Sequence, residues 1–220
     1  GVVLTIRDML DIVPPEVLRY MIAKTKPDKT IAFDPGMGLL RLIDEYDRAA
    51  ASGDSREYEL SVIASPQTTI PFRHMVTVVQ IAQNDEGIFD ILKRSGYEIV
   101  DRNAVLDQAN RARMWLERYA PEDVKFAIQP TLPEIAAAEP ANVKAAVAAY
   151  ATAVAAGEWM ADVLHNAVYD AAASAGITGK ELFTAIYRAF LGADRGPRLG
   201  WFLEAIGREA TLARLNEMTA

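Results

Sequence analysis

Apolar residues recur at helical spacing along nearly the whole chain, and that period confines it to a helical fold. In PPEVLRYMIAK, Pro14 and Pro15 suit a helix start, and Val17, Leu18, Met21 and Ile22 fall on one face. Leu39, Leu40, Leu42, Ile43 and Tyr46 form a second stripe, which ends in the polar run AASGDSRE. From IPFRHMVTVVQIAQ onward the period specifies at least five more helices. Phe72, Met75, Val76 and Val79 line one, and Ile88, Phe89, Ile91 and Leu92 line another that Gly96 stops. A long amphipathic helix covers Asp101 to Tyr119 and ends at Pro121. An alanine-rich helical region runs from Val143 to Ala173 with a break near Gly157, and Thr178-x-x-Glu181 has capping-box spacing. DKTIAFD, residues 28–34, reads as a short strand, and no internal repeat is present. The expected class is all-α with at most one or two short strands.

Composition then removes several kinds of chemistry. There is no cysteine and there are two histidines, so a disulfide framework, a thiolate site and a multi-histidine metal site are excluded. The expectation is a protein with no metal, working in the cytoplasm. No apolar stretch reaches membrane-spanning length, because Lys144, Glu158 and Asp162 interrupt the alanine-rich segments. A net charge of −7 argues against a generally basic nucleic-acid binder, so any phosphate contact must come from a local patch. GVVLTIRDMLDIV lacks a signal-peptide pattern and an initiating methionine, and it reads as a chain cut from something longer.

No arrangement of catalytic residues emerges. His74 and His165 have no partner at catalytic or ligand spacing and read as structural or surface residues. The carboxylates of LIDEYDR (Asp44, Glu45, Asp47) read as a solvated face. Pro35-Gly36-Met37-Gly38 precedes a helix as phosphate loops do, but no Lys-Ser/Thr follows it.

Two segments combine arginines with aromatics. In RARMWLER, Arg111, Trp115 and Arg118 share one helix face. That face suits an unpaired base stacked on the indole between guanidinium groups, or a core tryptophan with arginines at its edge. In DRGPRLGWFLEAIGRE, Arg195 and Arg198 flank Gly196-Pro197, and Arg188 lies one helix earlier. Lys180, Arg188, Arg195, Arg198 and Arg208 here outweigh Glu181, Asp194 and Glu204. A helix start with such a glycine can serve as an anion-holding lip, or as a turn entering a buried helix.

Several segments together resemble the class I, archaeal-type lysyl-tRNA synthetases. DMLDIVPPEVLRYMIAKTKPDKTIAFDPG is similar to the region after that family's second ATP-binding signature. LLRLIDEYDR, REYELS and PFRHMVTVVQIAQ resemble its next segments in the same order. GPRLGWFLEAIGRE resembles the carboxyl-terminal motif shared by the anticodon-binding domains of glutamyl- and lysyl-type enzymes.

The resemblance implies a stem-contact-like connecting segment over 1–64 and a helical cage anticodon-binding domain over 65–220, with a subdivision possible near 130–140. It implies tRNA(Lys) as partner, with a catalytic domain elsewhere on the same polypeptide, no DNA and no membrane. The family ligates lysine to tRNA using ATP. Both ATP signatures are missing here, so no catalytic residue is assigned, no cofactor is expected for this chain, and it is expected to be inactive alone. By resemblance, Arg111 fits the helix arginine that meets anticodon bases, Arg188 a helper, and Pro197 and Leu199 the wall of the turn. Trp115, Arg118, Arg195 and Arg198 complete the expected tRNA-binding set. Gly200 and Trp201 depart from the glutamyl-type pattern, so that type's base preference is not carried over. The alternatives are a glutamyl-type cage and a helical protein-binding scaffold with no tRNA role.

Overall fold

Short polar side chains cap five of the helix starts among the described residues. The computed structural model describes residues 4–63 and 68–220. Thr5 and Asp8 close a capping box on α1 (Ile6–Ile12), and Pro15 occupies the first position of α2 (Pro15–Lys24). α3 (Met37–Ser52) is followed by α4 (Arg56–Ser61), whose first turn is capped by the Ser55 hydroxyl. α5 (Phe72–Ile81) precedes α6 (Asp85–Arg94), capped by Asn84, and α7 (Arg102–Arg118), where the Asp101 carboxylate takes the Asn103 and Ala104 amides. α8 (Glu134–Ala137) is one turn. The alanine-rich region forms α9 (Ala141–Ala156) and α10 (Ala161–Ser174), interrupted near Gly157 as expected. The expected Thr178–Glu181 capping box opens α11 (Gly179–Leu191). α12 (Leu199–Ile206) and α13 (Arg208–Thr219) complete the chain.

The fold is all-α, and the described residues contain no strand. The strand expected over 28–34 is therefore corrected: residues 30–34 run without regular structure. A strand needs a hydrogen-bonded neighbour, and no second strand is available among the described residues. The motif GWFLEAIGRE also divides where the period did not show it. Gly207 joins α12 to α13 at φ 95°, a conformation that favours glycine, and a Cβ there would lie 2.7 Å from Arg94 Nη1. No helix of the described residues is long and apolar enough to cross a membrane.

Two compact units emerge. One comprises Gly1–Val79 with Ile99–Lys125, and the other Gln80–Glu98 with Phe126–Ala220. The boundary expected at 64/65 lies outside the described residues. Residues 68–79 and 99–125 share a unit with the amino-terminal helices.

In the first unit α1 packs on α7, and α2 packs on α3 and α4. Ile12, Leu39, Val105 and Trp115 are fully buried there. In the second unit α9 packs against α10 and α13, and α10 against α11 and α12. Its core joins Tyr150, Leu164, Val168, Ile186, Phe190, Phe202, Leu203 and Leu215. Each such side chain contributes roughly 1.5–3 kcal/mol on leaving water. The Tyr150 hydroxyl donates to the Leu164 carbonyl at 2.9 Å, so its polar end is satisfied inside the core.

Candidate nucleic-acid interface

The Gly-Pro turn between α11 and α12 belongs to the second unit and is built from below by α11. Tyr187 donates its hydroxyl to the Pro197 carbonyl at 2.6 Å, and burial pushes that phenol up to about 12, so it remains a donor. A Cβ on Gly196 would fall 2.6 Å from a Leu191 methyl and 2.8 Å from the Tyr187 ring. The glycine thus lets the turn lie on α11. Arg188 holds the same turn: Nε donates to Asp194 and Nη1 to Glu139, both at 2.7 Å. Both contacts are internal to the unit, which makes Arg188 a strut for the turn.

At the start of α12 the expectation of an open amide lip is corrected. Leu199 is 1% exposed and sits in the core, so it is no wall for a ligand. Gly200 is also buried, and a Cβ on it would lie 1.9 Å from the Ala161 carbonyl oxygen. The first turn of α12 therefore rests on the first turn of α10. The adjacent α10 start is closed as well, because Glu204 accepts the Ala161 amide at 3.1 Å. Burial raises the Glu204 carboxyl above its ordinary range.

Three of the expected site residues remain outward in this region. Arg195 is exposed on the turn and makes no hydrogen bond or ion pair among the described residues. Pro197 is half-buried at the edge of the turn. The Arg198 side chain is 52% exposed, donates from Nη2 to Asp162 at 2.9 Å, and lies over the Trp201 ring 5.0 Å from its centre. Trp201 completes an aromatic–cationic pair that reasoning from the sequence omitted from the site. The i, i+3 spacing of Arg198 and Trp201 was the available signal.

The face shared by Arg111, Trp115 and Arg118 forms in the first unit, but it looks inward. Trp115 is 0% exposed and donates its indole N–H to the Pro35 carbonyl at 2.7 Å. Its expected role as a stacking surface is corrected: it is a core residue with its one donor satisfied. Arg111 donates from Nη1 to the carbonyls of Leu10 and Val13 and from Nε to Asp107 at 2.9 Å. With its side chain 18% exposed, it caps the carboxyl end of α1. Arg118 pairs with Asp11 at 3.2 Å and keeps more solvent access. Thus Arg111, Trp115 and Arg118 belong to the first unit, and Arg188, Arg195, Pro197, Arg198 and Leu199 to the second.

The Pro35–Gly38 turn does not fit a nucleotide phosphate. The amides of Gly36 and Gly38 both donate to the Asp34 carboxylate at 2.9 Å, where a phosphate would have to bind. His74 is fully buried, and burial lowers its imidazole to about 4, which keeps it neutral. His165 lies 5.0 Å from Phe183 and 6.0 Å from Tyr169, ring centre to ring centre.

Comparison with known proteins agrees with the helical architecture. Residues 107–219 match the family described as anticodon binding domain, and residues 1–63 match the family of class I (K) tRNA synthetases. The chain belongs to the anticodon-binding-domain family. More particularly, it is similar over nearly its whole length to archaeal proteins named lysine–tRNA ligase. The Archaeoglobus fulgidus protein is 38% identical over 220 residues, covering 98% of this chain and 43% of the relative. The Methanosarcina barkeri protein is 37% identical, with 99% and 46% covered, and that of Thermoplasma volcanium is 34% identical, with 99% and 45% covered. The chain spans less than half the length of these relatives.

Proposed function

We propose that this chain is the tRNA-binding, anticodon-recognising part of a class I lysyl-tRNA synthetase. The match of residues 107–219 to the anticodon-binding family carries this reading. In the whole enzyme, a catalytic domain on the same polypeptide ligates lysine to tRNA(Lys) with ATP in the cytoplasm. The relatives' names and the shorter span of this chain support that division. Residues 1–64 form the stem-contact segment and 65–220 the anticodon-binding domain, a division supported by the class I synthetase match over residues 1–63. Arg195, Pro197 and Arg198 are its RNA-facing residues, with Arg118 as an additional contact in the first unit. Arg188 acts on them by fixing the turn.

Two measurements test this. The chain should bind tRNA(Lys) more tightly than the same tRNA with a glutamate anticodon, and log K should fall with log salt, by about 0.7–0.9 per phosphate contact. Binding that ignores both anticodon and salt would favour a protein-binding scaffold, and preference for the glutamate anticodon a glutamyl-type domain. Lysine-dependent ATP–pyrophosphate exchange by the chain alone would overturn its assignment as a part without an active site.

A further inference from the structure

The three tryptophans have three different surroundings. Trp115 is sealed in the first unit, and Trp159 packs against the core of the second. Trp201 lies outside that core cluster, is half-buried, and carries the Arg198 guanidinium over its ring. The guanidinium is in turn held by Asp162 on α10, and the backbone beneath is fixed by the Gly200–Ala161 contact. An indole and a guanidinium with one position imposed on them present a flat, cationic, partly desolvated plate. Ordering it costs little when a ligand arrives, because the helix junction and the ion pair already hold it.

We infer that the Arg198–Trp201 pair is a stacking site for one unpaired nucleobase, with Asp162 as the residue that positions Arg198. The inference rests on the anticodon-binding reading and extends it to a named pair of side chains. Unpaired RNA bases expose π-faces that paired ones hide, and aromatic rings and guanidinium planes are the surfaces proteins offer them. Arg195, three residues before Arg198 and exposed, supplies a phosphate contact beside the stacked base.

Stacking and phosphate contacts differ in how salt affects them. Removing a phosphate contact flattens the slope of log K against log salt, whereas removing a stacking surface lowers K equally at all salt concentrations. The experiment titrates the 220-residue chain with a synthetic RNA stem-loop and with a fully paired duplex of the same composition, at several salt concentrations. The wild type should prefer the stem-loop. Trp201→Ala should weaken stem-loop binding by about tenfold with an unchanged salt slope, and Trp201→Phe should retain most of the affinity. Arg195→Ala should flatten the slope by just under one. Asp162→Asn should weaken binding less than Trp201→Ala and leave the slope unchanged. Binding of the stem-loop should quench the wild-type tryptophan emission, and Trp201→Phe should remove the quench. This second readout keeps the test decisive if the alanine variant melts early. Stem-loop binding that is unaffected by Trp201→Ala, or a quench that persists in Trp201→Phe, would overturn the stacking site and leave the anticodon reading standing. No stem-loop binding by the wild type would overturn both.

Discussion

Arg111→Ala separates the role read from the sequence from the one the structure gives it. A base-reading arginine would leave stability unchanged and weaken binding of the native anticodon. The structure places its Nη1 on the carbonyls of Leu10 and Val13 and its Nε on Asp107. Val13 is 0% exposed, so its carbonyl regains water poorly when the donor is removed. Hydrogen bonds from a charged donor are worth roughly 1.5–3 kcal/mol each, and the pair with the more exposed Asp107 adds at most about 0.5 kcal/mol. Partial rehydration at Leu10 reduces the total, so the expected loss is about 3 kcal/mol, confined to the first unit. Trp115 reports on that unit, and urea unfolding of a Trp159→Phe, Trp201→Phe background reads its emission alone. Arg111→Lys should recover only part of the loss, because one ammonium cannot match the guanidinium fork. Stem-loop affinity under folding conditions should stay within about twofold of wild type. An unchanged urea midpoint together with anticodon-selective loss of binding would refute the capping assignment.

Three further outcomes follow from the same kind of reasoning. Arg214 donates to the carbonyls of Gln129, Pro130, Thr131 and Ala189 at 2.8–3.1 Å, so Arg214→Ala should destabilise the second unit by about 3 kcal/mol and Arg214→Lys should restore little, as chemical denaturation would read. Gly200→Ala forces a methyl to within 1.9 Å of the Ala161 carbonyl oxygen and should cost about 3 kcal/mol or more, with α12 shifted off α10 and a weakened Trp201 response to RNA. Burial lowers His74 from 6.5 to about 4, so its contribution is fully present above pH 6.5 and is lost as pH falls towards 4. That difference corresponds to about 3 kcal/mol at most, and His74→Leu should remove this part of the acid sensitivity in pH-resolved melting.

The helical period and the caps were readable because both are local. The Thr178–Glu181 box, the start at Pro15 and the interruption near Gly157 depend on residues within one turn of each other. The face of α7 was readable for the same reason: Arg111, Trp115 and Arg118 do project together. What they project towards depends on Leu10 in α1, 101 residues from Arg111, and on Pro35, 80 residues from Trp115, and no local pattern encodes either. Leu199 reads from the sequence as a lip residue for a related reason. A glycine-rich helix start admits a phosphate or another helix, and only the presence of Ala161 decides between them. The strand over 28–34 failed because strand propensity has no effect without a neighbour.

A wider regularity commits many of the arginines to helix ends. α1, α4, α9 and α12 carry no basic residue in their own last turn. Each is met at its carboxyl end by an arginine from a distant element: Arg111 at Leu10 and Val13, Arg19 at Leu60 and Ser61, Arg208 at Ala155 and Gly157, and Arg94 at Ala205 and Ile206. Orphan carbonyls at a helix end carry partial negative charge, and a planar multi-donor cation satisfies two at once. Arginines engaged in this way raise the basic count of the sequence while their donors are committed to carbonyls instead of to phosphate. The count of 23 lysines and arginines therefore overstates the number of cations available for direct phosphate contact in a chain whose net charge is −7. For stem-loop binding with Arg195 as the phosphate contact and Arg198 stacked on the base, the slope of log K against log salt should be about −0.7 to −0.9. A slope steeper than about −5 would mean that many more cations meet phosphate, and that the capping arginines are available to RNA after all.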